Sequence, residues 1–106
     1  ATAEKKAMGY YLAGRVSAVL GTHTHVQTAD ESIIEGHTGY ITDVGMTGPI
    51  ESVLGVKKEI AIERMRTHFP SRFEIAPAPC EMDSVLLTID NKSGKCTGIL
   101  RIKEMK

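Results

Sequence analysis

The stretch Gly21-Thr22-His23-Thr24-His25 constrains this chain more than any other. It follows a short apolar run, Val16-Ser17-Ala18-Val19-Leu20, bounded by Gly14 and Gly21 and β-branched at Val16 and Val19. Such a run reads as a strand with both faces covered. Residues two apart in an extended segment point to the same side. If the backbone stays extended past Leu20, His23 and His25 face one cavity. Two neutral imidazoles aimed at one point from a strand end are suitable ligands for a divalent transition metal. Alone, a His-x-His pair is a weak signal. Two histidines simply hydrogen-bonded in a polar loop is the competing reading.

The flanking sequence predicts an α/β arrangement. Residues 1–13 are rich in helix formers, with Ala7, Tyr10 and Tyr11 at helical spacing, Met8 and Leu12 likewise, and Gly14 as a stop. A strand entered directly from a helix suggests layered α/β architecture, in which functional residues gather at the C-terminal strand ends. Ser32-Ile33-Ile34 and residues 38–43 read as further strands. Residues 44–49 read as a loop whose glycines allow close backbone approach. Residues 57–69 carry Ile60, Ala61, Met65 and Phe69 as a helical stripe, stopped by Pro70. Residues 71–75 alternate like a half-buried strand, and Ala76-Pro77-Ala78-Pro79 is a stiff connector. Residues 81–90 and 95–104 make a hairpin. His37 reads as a surface histidine, and His68 as a rim or helix-dipole residue.

Composition narrows the class. The 106 residues have zero formal net charge and are 42% apolar, which suits one globular domain or a piece of one. The charge balance gives no support for a nucleic-acid or membrane surface. No apolar run approaches the roughly 18 residues needed to span a bilayer. The chain opens inside a helix without an initiator methionine, which is the first hint of a fragment. If Asp90 pairs with Lys95 across the turn, Cys96 sits opposite Ile89. Cys80 then lies about nine residues away along the partner strand, beyond disulfide reach at about 3.3 Å per residue. Free thiols in a reducing cytoplasm follow.

Gly21-Thr22-His23-Thr24-His25-Val26-Gln27-Thr28, followed by Ile41-Thr42-Asp43-Val44-Gly45-Met46-Thr47-Gly48-Pro49, resembles the C-terminal part of the YmdB-type members of the calcineurin-like metallophosphoesterases. The resemblance spans nearly the whole chain. It implies part of a four-layer α/β/β/α sandwich, with two mixed β-sheets flanked by helices. It also implies two divalent or trivalent transition metal ions, iron or manganese, and a hydroxide bridging them that attacks the phosphorus of a phosphodiester or cyclic nucleotide. On this resemblance His23 and His25 fall on the two histidines of the Gly-x-His-x-His element. Thr24, Gly45, Met46 and Thr47 fall on the substrate side. The family's other ligands and its general acid lie upstream of Ala1, so the expected partner is the missing N-terminal half of the same protein, and no catalytic residue lies within residues 1–106. Asp30, Glu31 and Asp43 are the nearby extra donors, none at a matched motif position. A cytoplasmic protein without a membrane partner is implied, with room for a homo-oligomer.

Two other readings stand beside the enzyme. One is a non-catalytic binding or assembly module that keeps the fold. The other is a structural histidine pair without metal. The sequence also generates two geometric expectations: the loop from Gly45 to Pro49 should come close to the histidines, and the cysteines should stay unbonded to each other. Under non-reducing, denaturing conditions, alkylation should add two equivalents per chain. An intact mass showing an intramolecular Cys80–Cys96 bond would sink the hairpin register.

Overall fold

A computed structural model describes residues 1–106. In chain order the elements are α1 (Thr2–Leu12), β1 (Ala18–Leu20), β2 (Ser32–Ile34), β3 (Thr38–Ile41), β4 (Thr47–Pro49), α2 (Lys58–Thr67), β5 (Cys80–Ile89) and β6 (Cys96–Met105). The α/β class is as expected, with two small sheets and two helices. One sheet has the order β1-β3-β2 and is mixed: β1 runs parallel to β3, and β2 antiparallel to it. The other has the order β4-β5-β6. Contacts divide the chain into two compact units, residues 1–46 with 83–102 and residues 47–82 with 103–106.

In the first unit β3 is the core strand, and all four of its residues are buried. Its alternation sends Gly39 and Ile41 to one face and Thr38 and Tyr40 to the other. A Cβ on Gly39 would meet Sγ of Cys96 at 2.8 Å and Cδ2 of Leu87 at 3.3 Å, so the hairpin packs on that face. On the other face lies α1. A Cβ on Gly9 would meet the Tyr40 ring at 2.9 Å and Ile34 at 3.2 Å. The helix therefore turns the line of Lys5, Gly9 and Leu12 inward. This differs from the expected stripe: Tyr10 and Tyr11 are 67% and 68% exposed. The absence of a side chain at position 9, where a large ring comes down, decides which face is buried.

β1 is shorter than its apolar run and is paired on one side only, with Leu20 exposed. The expected cover on both faces is not found. The hairpin keeps the expected register, with Asp90 N–H donating to the Lys95 carbonyl at 2.9 Å. Cys80 exchanges backbone hydrogen bonds with Lys106, at the end of the hairpin away from Cys96, and both thiols are free. His37 is half-buried, and its carbonyl accepts the Cys96 N–H at 2.6 Å.

The second unit corrects three expectations. Residues 47–49 form a short strand antiparallel to Cys80–Met82, not a loop. Residues 71–75 form no strand, and Ile75 makes only an isolated bridge to Val56. Prolines at 70, 77 and 79 deprive that segment's surroundings of ladder donors. On α2, Ala61 is buried but Met65 is exposed, and Phe69, beyond the helix end at Thr67, is exposed too, so the expected stripe is covered only near its start. His68 ends this helix in the left-handed conformation, φ 60°, with its N–H on the Arg64 carbonyl.

Because Gly39 sits directly under Cys96 and Leu87, Gly39→Ala overpacks the first unit. It should lower stability by about 1–3 kcal/mol, read as a drop in the urea midpoint at unchanged m-value. An unchanged midpoint would show that the hairpin does not rest on β3.

Candidate functional site

Parallel pairing of β1 with β3 brings the segments after Leu20 and Ile41 out at the same end of the sheet. Gly21 joins them. Its N–H donates to the Ile41 carbonyl at 3.1 Å, and its own carbonyl accepts the Val44 N–H at 2.9 Å. A Cβ at Gly21 would collide with the main-chain carbonyl oxygen of Thr42. Glycine is required there by close backbone approach.

The histidines follow immediately, and the backbone does not stay extended. Residues 23–26 bend. His23 has φ 153° and His25 φ 67°, both in a region that side-chain-bearing residues seldom occupy. Strand alternation therefore does not set the directions of the two imidazoles, contrary to the sequence expectation. Both side chains are exposed and make no hydrogen bond or ion pair within the chain.

Asp43 holds this bent segment. It is fully buried. Its Oδ2 accepts from the Thr24 N–H and from the Thr24 hydroxyl, each at 2.6 Å. Its Oδ1 accepts the Gly45 N–H at 2.9 Å. Its own N–H donates to the Thr28 hydroxyl oxygen at 3.0 Å, and its carbonyl accepts the Thr28 N–H at 3.0 Å. Sparsely populated backbone angles cost about 1–3 kcal/mol each. Hydrogen bonds to a charged group contribute about 1.5–3 kcal/mol each. Three such bonds to one carboxylate are enough to offset two strained residues. Burial opposes ionisation of Asp43, but the Thr24 hydroxyl, the Gly45 and Thr24 N–H groups and the nearby Lys5 hold its carboxyl below its usual range.

Asp30 anchors the next layer. Its Oδ1 accepts from the Thr28 hydroxyl at 2.6 Å and from the Thr42 N–H at 3.1 Å, and its Oδ2 accepts from the Thr42 hydroxyl. Lys6 pairs with it at 3.4 Å. Burial again opposes ionisation, yet these hydroxyls, the amide and the ammonium together hold the carboxyl well below the ordinary carboxylate range. Gln27 is nine-tenths buried. Its Nε2 donates to the Val44 and Ser84 carbonyls at 3.1 and 3.0 Å, and its Oε1 has no partner.

The structure thus brings Thr24 and Gly45 together through Asp43. It commits the Thr24 hydroxyl to that carboxylate. Thr47 belongs to the second unit. The extra donors are each engaged: Asp43 and Asp30 by threonines, and Glu31 by the Arg101 guanidinium at 2.8 Å. No three of the chain's His, Cys, Asp or Glu side chains group as a metal site. His23 and His25 are suitable in chemistry and access for a transition metal, but they make up only part of a ligand set. Sequence reasoning missed Asp43 and Asp30 as scaffold. The available signal was Thr42-Asp43 closing a buried strand, where an acid must find donors.

The same fold occurs in two solved proteins. The chain superposes on the crystal structure of a hypothetical protein from Thermus thermophilus with TM-score 0.91 and 39% identity, covering 100% of this chain and 41% of that one. It superposes equally well on a novel phosphatase from Mycoplasma pneumoniae, TM-score 0.91 and 33% identity, covering 99% of this chain and 38% of that one. The chain belongs to the YmdB-like protein family, whose model matches residues 1–102. A curated relative, the 2′,3′-cyclic-nucleotide 2′-phosphodiesterase of Bacillus subtilis (strain 168), is 50% identical over 102 residues. That match takes in 96% of this chain and 39% of the relative, so the chain spans about two fifths of the relative's length. No helix is long and apolar enough to cross a membrane.

A carboxyl whose folded pKa is depressed contributes stability that is complete above its unfolded value near 4 and is lost as pH falls through the folded one. Both aspartates are depressed. Thermal stability of the full-length protein should therefore fall steeply on acidification below about pH 4. Asp30→Asn should cost about 1–2 kcal/mol at neutral pH and flatten that acid limb. An acid limb as steep in Asp30→Asn as in the parent would show that Asp30 is not its source.

Proposed function

We propose that the chain is the C-terminal portion of a single metallophosphoesterase domain, and that the full-length protein is a metal-dependent phosphodiesterase in which His23 and His25 are metal ligands. The observation that carries this reading is the loop itself. Two exposed imidazoles without partners are presented at the end of parallel strands, on a segment held by a buried carboxylate, in a chain of the YmdB-like family. Two transition metal ions, iron or manganese, are the occupants that the family resemblance implies. When bound, such ions supply Lewis acidity and an activated water for phosphoryl chemistry.

This chain's residues have narrower tasks. His23 and His25 donate imidazole nitrogens. Gly45 has φ 96° and its N–H on Asp43, and Met46 and Thr47 follow it in sequence. We assign these three residues to the substrate side. Thr24 can reach substrate only through its backbone or methyl group, because its hydroxyl serves Asp43. The remaining ligands and the general acid lie in the rest of the domain. The substrate class is a phosphodiester, and the Bacillus subtilis relative's name favours 2′,3′-cyclic nucleotides. Two unbonded cysteines fit a cytoplasmic setting.

In the full-length protein, His23→Ala and His25→Ala should each lower metal per chain and turnover of 2′,3′-cyclic AMP together, by about tenfold or more. Elemental analysis beside a phosphate-release assay reads both. Unchanged metal and rate in both variants would remove the site. A full-length protein that binds 2′,3′-cyclic AMP without turning it over at any metal loading would favour the non-catalytic module.

A further inference from the structure

Thr24 lies between two histidines whose backbone angles are both unfavourable for residues with a side chain. Left to relax, such residues return to negative φ, and the directions of their side chains change with them. The carboxylate of Asp43 makes no hydrogen bond to either imidazole, yet it takes both the N–H and the hydroxyl of Thr24 on one oxygen. The main chain of the same aspartate accepts the Thr28 N–H on its carbonyl and donates its own N–H to the Thr28 hydroxyl oxygen, three residues past His25. Asp43 therefore grips the histidine segment on both sides of His25, and its other carboxylate oxygen grips Gly45.

We propose that Asp43 is a positioning residue for His23 and His25, acting through the hydroxyl and amide of Thr24, and that it ties their presentation to the loop containing Gly45. The assignment rests on the reading of the two histidines as metal ligands. It requires no contact between Asp43 and metal or substrate. A metal site tolerates little looseness in its donors, so the residue that fixes their backbone sets affinity without supplying a ligand.

The test uses the full-length protein. Thr24→Val keeps the size and β-branching but removes the hydroxyl, and Thr24→Ser keeps the hydroxyl. Thr24→Val should weaken Mn²⁺ binding by about tenfold or more. Thr24→Ser should restore Mn²⁺ affinity. In the metal-free protein, the backbone amide resonances of His23 and His25 should shift in Thr24→Val and return in Thr24→Ser. Asp43→Asn, which has only one acceptor oxygen, should do at least as much as Thr24→Val. If it fails to fold, the Thr24 pair decides. Parent-like Mn²⁺ affinity with unshifted amide resonances in Thr24→Val would overturn the positioning role, as would a Thr24→Ser variant as impaired as Thr24→Val. Parent-like Mn²⁺ affinity in His23→Ala and His25→Ala overturns the ligand reading instead, and shifted resonances in Thr24→Val would then still support the clamp.

Discussion

A buried carboxylate must be surrounded by donors or it will not stay charged, and Asp43 meets that requirement from two loops at once. The donors come from Thr24 and from Gly45, so neither loop can leave without stranding a charge. Asp30 repeats the arrangement one layer away with Thr28 and Thr42, and Thr28 bonds to both aspartates. The end of this sheet is thus held by threonines and aspartates rather than by apolar packing. That suits a surface that must stay polar and open. A hydrophobic plug would fix the loops equally well but would cover the histidines.

Glycine does a different kind of work beside it. Gly21 lies where two main chains come too close for a Cβ, between the strand it leaves and the carbonyl of Thr42. The glycine of the Gly-x-His-x-His element is therefore fixed by a steric limit in this fold. Lys5 reaches across from α1 to the Thr22 carbonyl at 2.9 Å, so the helix contributes to the same loop.

Much of the architecture could be read from the sequence. The opening helix, the strand before the histidines, the hairpin register and the unbonded cysteines follow from local pattern and turn chemistry, and the structure keeps them. The errors share a cause. Which face α1 buries depends on Tyr40, more than thirty positions downstream, and the alternation at 71–75 is overruled by the prolines around it. Periodicity in one segment carries no information about the partner that covers it. At the site, residue types named the candidate ligands, but the extended backbone assumed for their spacing does not hold. An acid that clamps and an acid that ligates look the same in sequence. Only the hydrogen bonds separate Asp43, Asp30 and Glu31 from metal donors.

The arc from Thr24 to Thr28 is closed at both ends on one residue. A loop this short, tied at both feet, has little conformational entropy left to lose. A ligand on the two imidazoles would meet a segment whose freedom was given up when the chain folded, so its interactions would not be drained by ordering the loop. The strain at the histidines and the tightness of the clamp are then two aspects of one property. The segment is held in a shape it would not choose, and that shape is fixed when the chain folds.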